Sequence, residues 1–389
     1  MSSEHWATTK PGNRAFTSQD VSYMRAALSL ARRGLGNVWP NPAVGCVIVK
    51  DGLAVGRGWT QPGGRPHAET EALRRAGPAA KGATAYVTLE PCAHHGGTPP
   101  CAEALIDAGI SRVVAAIGDP DARVDGGGHE RLREAGISVE EGCCAQLAAD
   151  LNAGYLLART RSRPLFTLKS ATSIDGRIAL ASGQSKWITG EDSRAAAHQM
   201  RLDHDATLVG IGTVLADDPR LTCRLPGAQA GRQARIVLDS NLRTPLDCNL
   251  VRGTPEAPLW IMTGDGKSEA ELAPYGERGA VVIQVPRSGS GSGVDPWSAA
   301  EALAARGLTR VLIEGGAGVA ALFLDAGLVD RLVVFRGPTA MGGDALAQFG
   351  PLGLEDMTRA PCFELIDVEA VGKDVKETYA APVGGAAAD

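Results

Sequence analysis

Short apolar runs alternate with helix-length segments along most of this chain, and that alternation restricts the fold more than any other feature. Residues 44–49, 85–89 and 112–117 are short apolar runs bounded by polar or turn residues, which predicts strands. Residues 21–33 have helical apolar spacing and stop at Gly34; residues 69–75, 101–108, 130–135 and 143–160 fit further helices. Strands separated by helices predict a sheet with helices on its faces. The stretch Arg-Ser-Arg-Pro at 161–164 breaks the pattern and marks a domain boundary. A second α/β region follows, with strands predicted at 165–169, 207–209, 235–238, 259–262, 281–285, 310–313 and 332–335. Residues 363–370 and 375–380, split by Gly372, Lys373 and Asp374, predict a closing hairpin. The SGSGSG run at 288–293 predicts a flexible surface loop, and residues 384–389 a disordered tail.

Length and charge narrow the function. A chain of 389 residues suggests roughly two to three domains. The net charge of −5 gives no general attraction to phosphate backbones, so no nucleic-acid partner is expected. No run of about 18 apolar residues predicts a membrane span, and residues 1–10 lack the apolar core of a secretory signal. Eight cysteines spread unevenly along a long chain predict reduced thiols and a cytoplasmic location.

His67, Glu69, Cys92 after Pro91, and Cys101 carry the most specific chemistry. One imidazole and two thiolates can occupy three of zinc's four tetrahedral positions, leaving the fourth for water, which is the layout of a catalytic site. Zinc lowers the pKa of such a water to about 7. A carboxylate two residues after the histidine is placed to move protons on and off it. His-x-Glu with Pro-Cys is the arrangement of zinc-dependent nucleobase deaminases. Taken alone, His67 would be an ordinary buried histidine; the set points to metal. Pro66 precedes a predicted helix that begins with His67 and Glu69. Pro99 and Pro100 suit the start of another, which puts Cys101 at a positive dipole end that favours the thiolate. Eight residues, AHHGGTPP, separate the two cysteines, a departure from the usual Cys-x-x-Cys.

Three stretches, NPAVG at 41–45, PHAE at 66–69 and EPCAHHGGTPPC at 90–101, together resemble the bifunctional riboflavin-biosynthesis deaminase–reductase family. The resemblance continues through KSATSIDGR at 169–177, SKWITG at 185–190, VGIGTVLADDPRLTCR at 209–224, LDSNLR at 238–243 and IEGGAG at 313–318. It implies a cytidine-deaminase-like α/β/α domain over residues 15–160 and a dihydrofolate-reductase-like α/β domain over residues 163–383. The implied reactions are zinc-dependent hydrolytic deamination of 2,5-diamino-6-ribosylamino-4(3H)-pyrimidinone 5′-phosphate, then NADPH reduction of 5-amino-6-(5-phosphoribosylamino)uracil to its ribityl form. The implied cofactors are one zinc ion and NADPH, and a homo-oligomer is expected.

By this match Asn41 and His94 line the pyrimidine pocket, while His95 and His129 have no role. Ala171, Trp187, Thr213, Asp217, Ser240, Gly316, Ala317, Gly318, Val319, Ala320, Ala321 and Leu322 would contact NADPH. Ser185, Arg201, Leu221, Arg224 and Glu314 would contact substrate, with Arg201 and Arg224 clamping the sugar phosphate. Lys169 and Asp175 are further candidates for the catalytic site, although Asp175-Gly176 suits a plain turn equally. The glycines at 315–318, between a predicted strand and a helix, would let backbone N–H groups approach a pyrophosphate. Ser240, with Asn241 and Arg243, suits a 2′-phosphate, which favours NADPH over NADH; Arg243 by itself reads as a solvated turn residue.

Three positions depart from the family. Gly97 stands where Lys or Arg is usual, Asp125-Gly126 where Asn is usual, and Thr60 where His is common. Two rival readings follow: a nucleic-acid-directed zinc deaminase, or a reductase with a silent deaminase domain. The acidic balance argues against the first, and retention of Glu69 with all three metal ligands against the second.

Overall fold

The computed structural model describes residues 16–94, 99–121, 124–228, 232–289 and 293–382. Gly97, His95, the 384–389 tail and part of the 288–293 loop lie outside the described residues, as does residue 383. The chain forms two compact units, Met1–Arg161 and Ser162–Asp389.

The first unit is a five-stranded sheet with helices against it. In chain order its elements are α1 (Ser18–Ala31), β1 (Gly45–Lys50), β2 (Leu53–Trp59), α2 (Ala68–Ala76), β3 (Thr84–Val87), α3 (Cys101–Asp107), β4 (Arg112–Ala115), α4 (Gly127–Glu134), β5 (Ser138–Glu141) and α5 (Ala145–Arg161). The strand order is β2-β1-β3-β4-β5. β1 runs antiparallel to both β2 and β3, whereas β3, β4 and β5 are parallel. Thr17 caps α1 and exchanges bonds with Asp20 in a capping box. The core joins Met24 and Ala27 of α1 to Ile48, Val87 and Val114 of the sheet and Leu105 of α3.

Two strands of this unit are absent from the sequence expectation. β2 carries Gly56 and Gly58, which weaken strand periodicity; a Cβ at either would run into the backbone of α2, at Ala72 and Ala68 respectively. These glycines let α2 lie directly on the strand. β5 has the sequence SVEE at a sheet edge, so it has little apolar signal to read.

The second unit holds a nine-stranded sheet in the order β11-β10-β9-β8-β12-β6-β13-β16-β15. Its elements are β6 (Leu165–Thr172), β7 (Arg177–Ala179), α6 (Glu191–Leu202), β8 (Ala206–Gly210), α7 (Ile211–Asp217), β9 (Ala234–Leu238), α8 (Asn249–Arg252), β10 (Leu259–Gly264), α9 (Glu269–Gly276), β11 (Ala280–Val285), α10 (Pro296–Ala305), β12 (Arg310–Ile313), α11 (Ala317–Asp325), β13 (Arg331–Arg336), β14 (Leu346–Ala347), β15 (Glu364–Val371) and β16 (Asp374–Ala380). From β11 to β13 every neighbouring pair is parallel; β16 and β15 add an antiparallel hairpin at one edge. Leu208, Ile236, Ile313 and Phe335 are buried in the strands, and Phe166 of β6 packs edge-on to Phe323 of α11. The parallel strands put the carboxyl ends of β6, β8, β9, β10 and β12 along one side of the sheet, where α/β sheets place their ligands. Among the described residues no helix is long and apolar enough to cross a membrane.

Candidate active sites

In the first unit the site forms where three chain segments meet beyond the end of β3. His67 is the N-cap residue of α2, with extended backbone, so its ring leaves the helix end while Glu69 points inward from the first turn. Glu69 is only 3% exposed. The chain leaving β3 runs through Leu89, Glu90 and Pro91 to Cys92. Cys101 is the first residue of α3, next to its N-cap Pro100. The four side chains predicted to act together are therefore brought together.

The geometry suits a metal. His67 Nδ1 lies 3.3 Å from Cys101 Sγ and 3.6 Å from Cys92 Sγ. The donor atoms of all three residues lie within 4.8 Å of one another. Two corners of a tetrahedral zinc site, one nitrogen and one sulfur, are about 3.6 Å apart from the known bond lengths. The donor set, soft thiolates with one imidazole, is zinc's own. Bonding from the Cys101 thiol, helped by His67 and the Cys101 N–H at 3.3 Å, outweighs burial and holds the Cys92 thiol down to about 4. Burial pushes Glu69 up to about 7; His67 draws it down and Cys92 adds to the rise. A carboxyl group poised there can both take and return a proton near neutral pH.

The pocket in front of this cluster is lined by Asn41 and His94, together with Thr60, Asp119, Asp121, Tyr155 and Arg159. Asn41 and His94 thus stand where the resemblance puts them. Asp125, a departure from the family, is exposed and absent from the pocket wall, where the carboxylates are Glu69, Glu90, Asp119 and Asp121. Thr60 holds the strand entry, its hydroxyl accepting from Val44 N–H at 3.0 Å and donating to Pro42 O at 3.1 Å. His129 is buried against Glu141, away from the metal ligands.

Sequence reasoning missed the residues that hold the pocket's far wall. The buried carboxylate of Glu90 accepts N–H bonds from Asp119 (3.3 Å), Gly126 (3.1 Å), Gly128 (2.9 Å) and His129 (3.1 Å). Through them, the residue two before Cys92 ties the loop after β4 to the metal-binding segment. Asp119 accepts from Tyr155 OH at 3.0 Å, and burial raises its carboxyl to about 6. Arg159 lies over the Tyr155 ring and 3.6 Å from Asp121. One signal could have found Asp119: it follows the predicted strand at 112–117, where parallel strands end and sites form.

In the second unit the glycine turn between β12 and α11 meets the turn between β8 and α7. Gly316 is the N-cap of α11 and donates its N–H to Thr213 Oγ1 at 3.1 Å. Gly210 N–H donates to Gly315 O at 3.2 Å. Gly315 has φ +106°, which favours glycine. Thr213 and residues 316–322 therefore share one place. The first N–H groups of the nine-residue α11 lack partners within the helix and open on this turn, a cradle that fits a pyrophosphate. Ala171 is the next-to-last residue of β6, two strands from β8, and Ser240 follows β9. Trp187 is 71% exposed under the Arg194 guanidinium, 4.3 Å above its ring. Asp217, the last residue of α7, is exposed, and Ser185 is half-buried.

Glu314, at the end of β12, is paired twice with Arg201: Nε to Oε1 at 2.6 Å and Nη2 to Oε2 at 2.7 Å. Arg201 Nη1 donates to Thr222 O at 2.8 Å. Three of the five guanidinium N–H groups are thus used inside the protein. Arg201 is therefore braced by Glu314 and keeps two N–H groups for a phosphate, and Arg224, exposed and 3.4 Å from His198 Nε2, is the more available cation. Burial raises Glu314, but the opposing charges of Arg201 and Lys169 outweigh it and bring it down to about 2. Burial pushes the Lys169 ammonium down, against the pull of Glu314 and with that of Arg201. Burial, Arg201 and Arg224 take His198 down to about 4, so its ring is neutral at pH 7. Leu221 is buried with φ +57°. Asp175 proves to be a loop anchor: its carboxylate accepts from Ser173 Oγ at 2.6 Å and from the N–H groups of Met341 and Gly342.

Comparison with known proteins gives each unit a family. Residues 17–117 match the cytidine and deoxycytidylate deaminase zinc-binding region, and residues 164–376 match the RibD C-terminal domain. The riboflavin biosynthesis protein RibD of Aquifex aeolicus (strain VF5) is 41% identical over 356 residues, covering 92% of this chain and 97% of that one. Its counterpart in Escherichia coli (strain K12) is 41% identical over 92% of this chain and 98% of its own length. The structure of Acinetobacter baumannii RibD, form 1, has a TM-score of 0.82 at 38% identity, over 94% of this chain and 99% of that one. A Thermotoga maritima structure described as a diaminohydroxyphosphoribosylaminopyrimidine deaminase/5-amino-6-(5-phosphoribosylamino)uracil reductase has a TM-score of 0.82 at 35% identity, with the same coverage.

Proposed function

The chain belongs to the bifunctional riboflavin-biosynthesis deaminase–reductase family, and from that premise we propose how its residues divide the two reactions. The first unit deaminates 2,5-diamino-6-ribosylamino-4(3H)-pyrimidinone 5′-phosphate with water. The second reduces 5-amino-6-(5-phosphoribosylamino)uracil, using NADPH, to the ribityl product. The observation that carries the reading is the His67–Cys92–Cys101 triangle, with N···S edges of 3.3 and 3.6 Å, beside the buried Glu69.

His67, Cys92 and Cys101 would hold the zinc ion. When bound, zinc makes a water nucleophilic near neutral pH. Glu69 would take one proton from the attacking water and pass it to a ring nitrogen of the pyrimidine, then take the second from the hydroxyl added at carbon and pass it to the amino group, which leaves as ammonia as the carbonyl forms. Asn41 and His94 orient the ring from the pocket wall. Tyr155 and Asp119 close the far side.

In the second unit Gly316, Ala317, Gly318, Val319, Ala320, Ala321 and Leu322 hold the dinucleotide with Thr213, Ala171, Trp187, Asp217 and Ser240. When bound, NADPH would supply a hydride to C1′ of the ribosylamino group in its ring-opened imine form, the imine nitrogen gaining its proton from solvent. Ser185, Leu221 and Arg224 position the substrate. The Arg201–Glu314 pair fixes the floor beneath it, and Lys169 lies within electrostatic reach of that pair.

We assign the protein to the cytoplasm, a reading supported by eight cysteines that are all unpaired. We also assign it a homo-oligomeric state. β15 supports this: it is an edge strand that exposes Leu365, Ile366 and Val368, a surface suited to pairing. A coupled assay tests the function. Ammonia should be released from the diaminopyrimidinone phosphate without NADPH, and the ribityl product should form only with it. Release of ammonia from oligonucleotide but not from the phosphorylated pyrimidine would overturn the assignment.

A further inference from the structure

Ser240 and its neighbours form the proposed 2′-phosphate end of the dinucleotide site, yet nothing in the sequence motifs there is a fixed cation. Arg243 is exposed and makes no hydrogen bond or ion pair among the described residues, so nothing holds its guanidinium in place. The structure brings in another arginine from 47 residues away. Arg287 lies two residues past the end of β11, and its Nη2 donates to Ser240 O at 2.8 Å and to Asn241 Oδ1 at 2.9 Å.

The berth for this guanidinium is built. β9, β10 and β11 are adjacent parallel strands, so their carboxyl ends lie side by side. Gly264 ends β10, the middle one. A Cβ at Gly264 would come within 2.7 Å of Arg287 Nε and 2.9 Å of its Cζ. Gly264 has no positive φ, so its backbone does not require glycine. A Cβ there would push the guanidinium out of this position. The anchors use both hydrogens of Nη2. Nε–H and the two hydrogens of Nη1 are left, and among the described residues no carboxylate pairs with them.

We propose that Arg287 is the specificity-determining residue that reads the 2′-phosphate of the dinucleotide and so sets the preference for NADPH over NADH. The inference rests on the reductase reading above. A guanidinium with free N–H groups matches the oxygens of a phosphate dianion; the 2′-hydroxyl of NADH offers it no charge. Ser240 supplies its hydroxyl to the same group while its carbonyl holds the arginine. One residue thus sets both the ligand contact and the position of the cation.

The test measures binding, not turnover. Full-length wild type, Arg287→Ala, Gly264→Ala and Arg243→Ala are titrated calorimetrically with 2′,5′-ADP and 5′-AMP, and by fluorescence with NADPH and NADH. Arg287→Ala should weaken 2′,5′-ADP and NADPH by about tenfold or more, while 5′-AMP and NADH change by less than about twofold. Gly264→Ala should shift the same ratio in the same direction, because it displaces the guanidinium without removing it. Arg243→Ala should leave the ratio alone. Equal loss of both ligands in Arg287→Ala, an unchanged ratio, or a shift produced by Arg243→Ala instead would overturn the proposal. If wild type binds neither dinucleotide, the reductase reading fails and this inference with it. If wild type prefers NADPH and Arg287→Ala keeps that preference, only the role of Arg287 fails.

Discussion

Replacing Glu314 with Gln removes one charge from a buried pair and leaves Arg201 and Lys169 without their counter-ion. The side chains of Arg201 and Glu314 are 15% and 9% exposed, so water cannot make good the loss. Breaking such a pair by deleting one partner costs about 3–5 kcal/mol. The titration of Glu314 gives a similar size. Its folded pKa is held down to about 2, against about 4.3 for an unfolded glutamate, which favours the folded state by about 3 kcal/mol near neutral pH. The pH dependence has a definite sign. The folded pKa is depressed, so this stabilisation is fully present above the unfolded value, near pH 4.3, and is lost as pH falls towards 2. Calorimetric unfolding at pH 7 should show the transition of the second unit lowered by roughly 6–15 °C in Glu314→Gln. The variant should also lose less stability than wild type between pH 4.5 and 2, since it has no carboxylate to protonate there. A transition within about 2 °C of wild type at pH 7, or an unchanged acid response, would refute the claim that this pair braces the site.

Glu69→Gln should retain zinc, measured by metal analysis, yet lower deamination by about 10²–10⁴-fold, while supplied aminouracil is still reduced. Equal loss of both activities would contradict two separate sites. Arg224→Ala should raise KM for reduction by about 10–100-fold and leave deamination far less affected, as separate assays of each step would report. Glu90→Gln puts an amide donor against two of the four N–H groups, since each carboxylate oxygen accepts two of them. It should destabilise the first unit by about 1–3 kcal/mol in urea unfolding and depress deamination more than reduction.

The cluster of candidate metal ligands was legible in the sequence because its signals are local. His67 and Glu69 sit on the first turn of a helix, Cys92 follows a strand, and Cys101 begins the next helix, so proline and spacing signals mark each one. The same holds for the glycine turn at 315–318, where a strand gives way to a helix. The alternation of strands and helices was readable for the same reason: periodicity reports which face of an element is buried. β2 and β5 escaped because glycine in one and charge in the other erase that period. What partners each polar side chain finds was not in the local pattern. Arg201 and Glu314 are 113 residues apart, Glu90 and His129 39, and Arg287 and Ser240 47. Only the order of strands in the sheets brings these segments together, and once buried, each charged group must take the partner within reach. That is why the buried Arg201 became a brace, while the exposed Asp175 and Arg287 meet Met341 and Ser240 only because the fold sets those segments side by side. Propensity and spacing act over a few residues, whereas burial acts on whatever the folded chain places side by side.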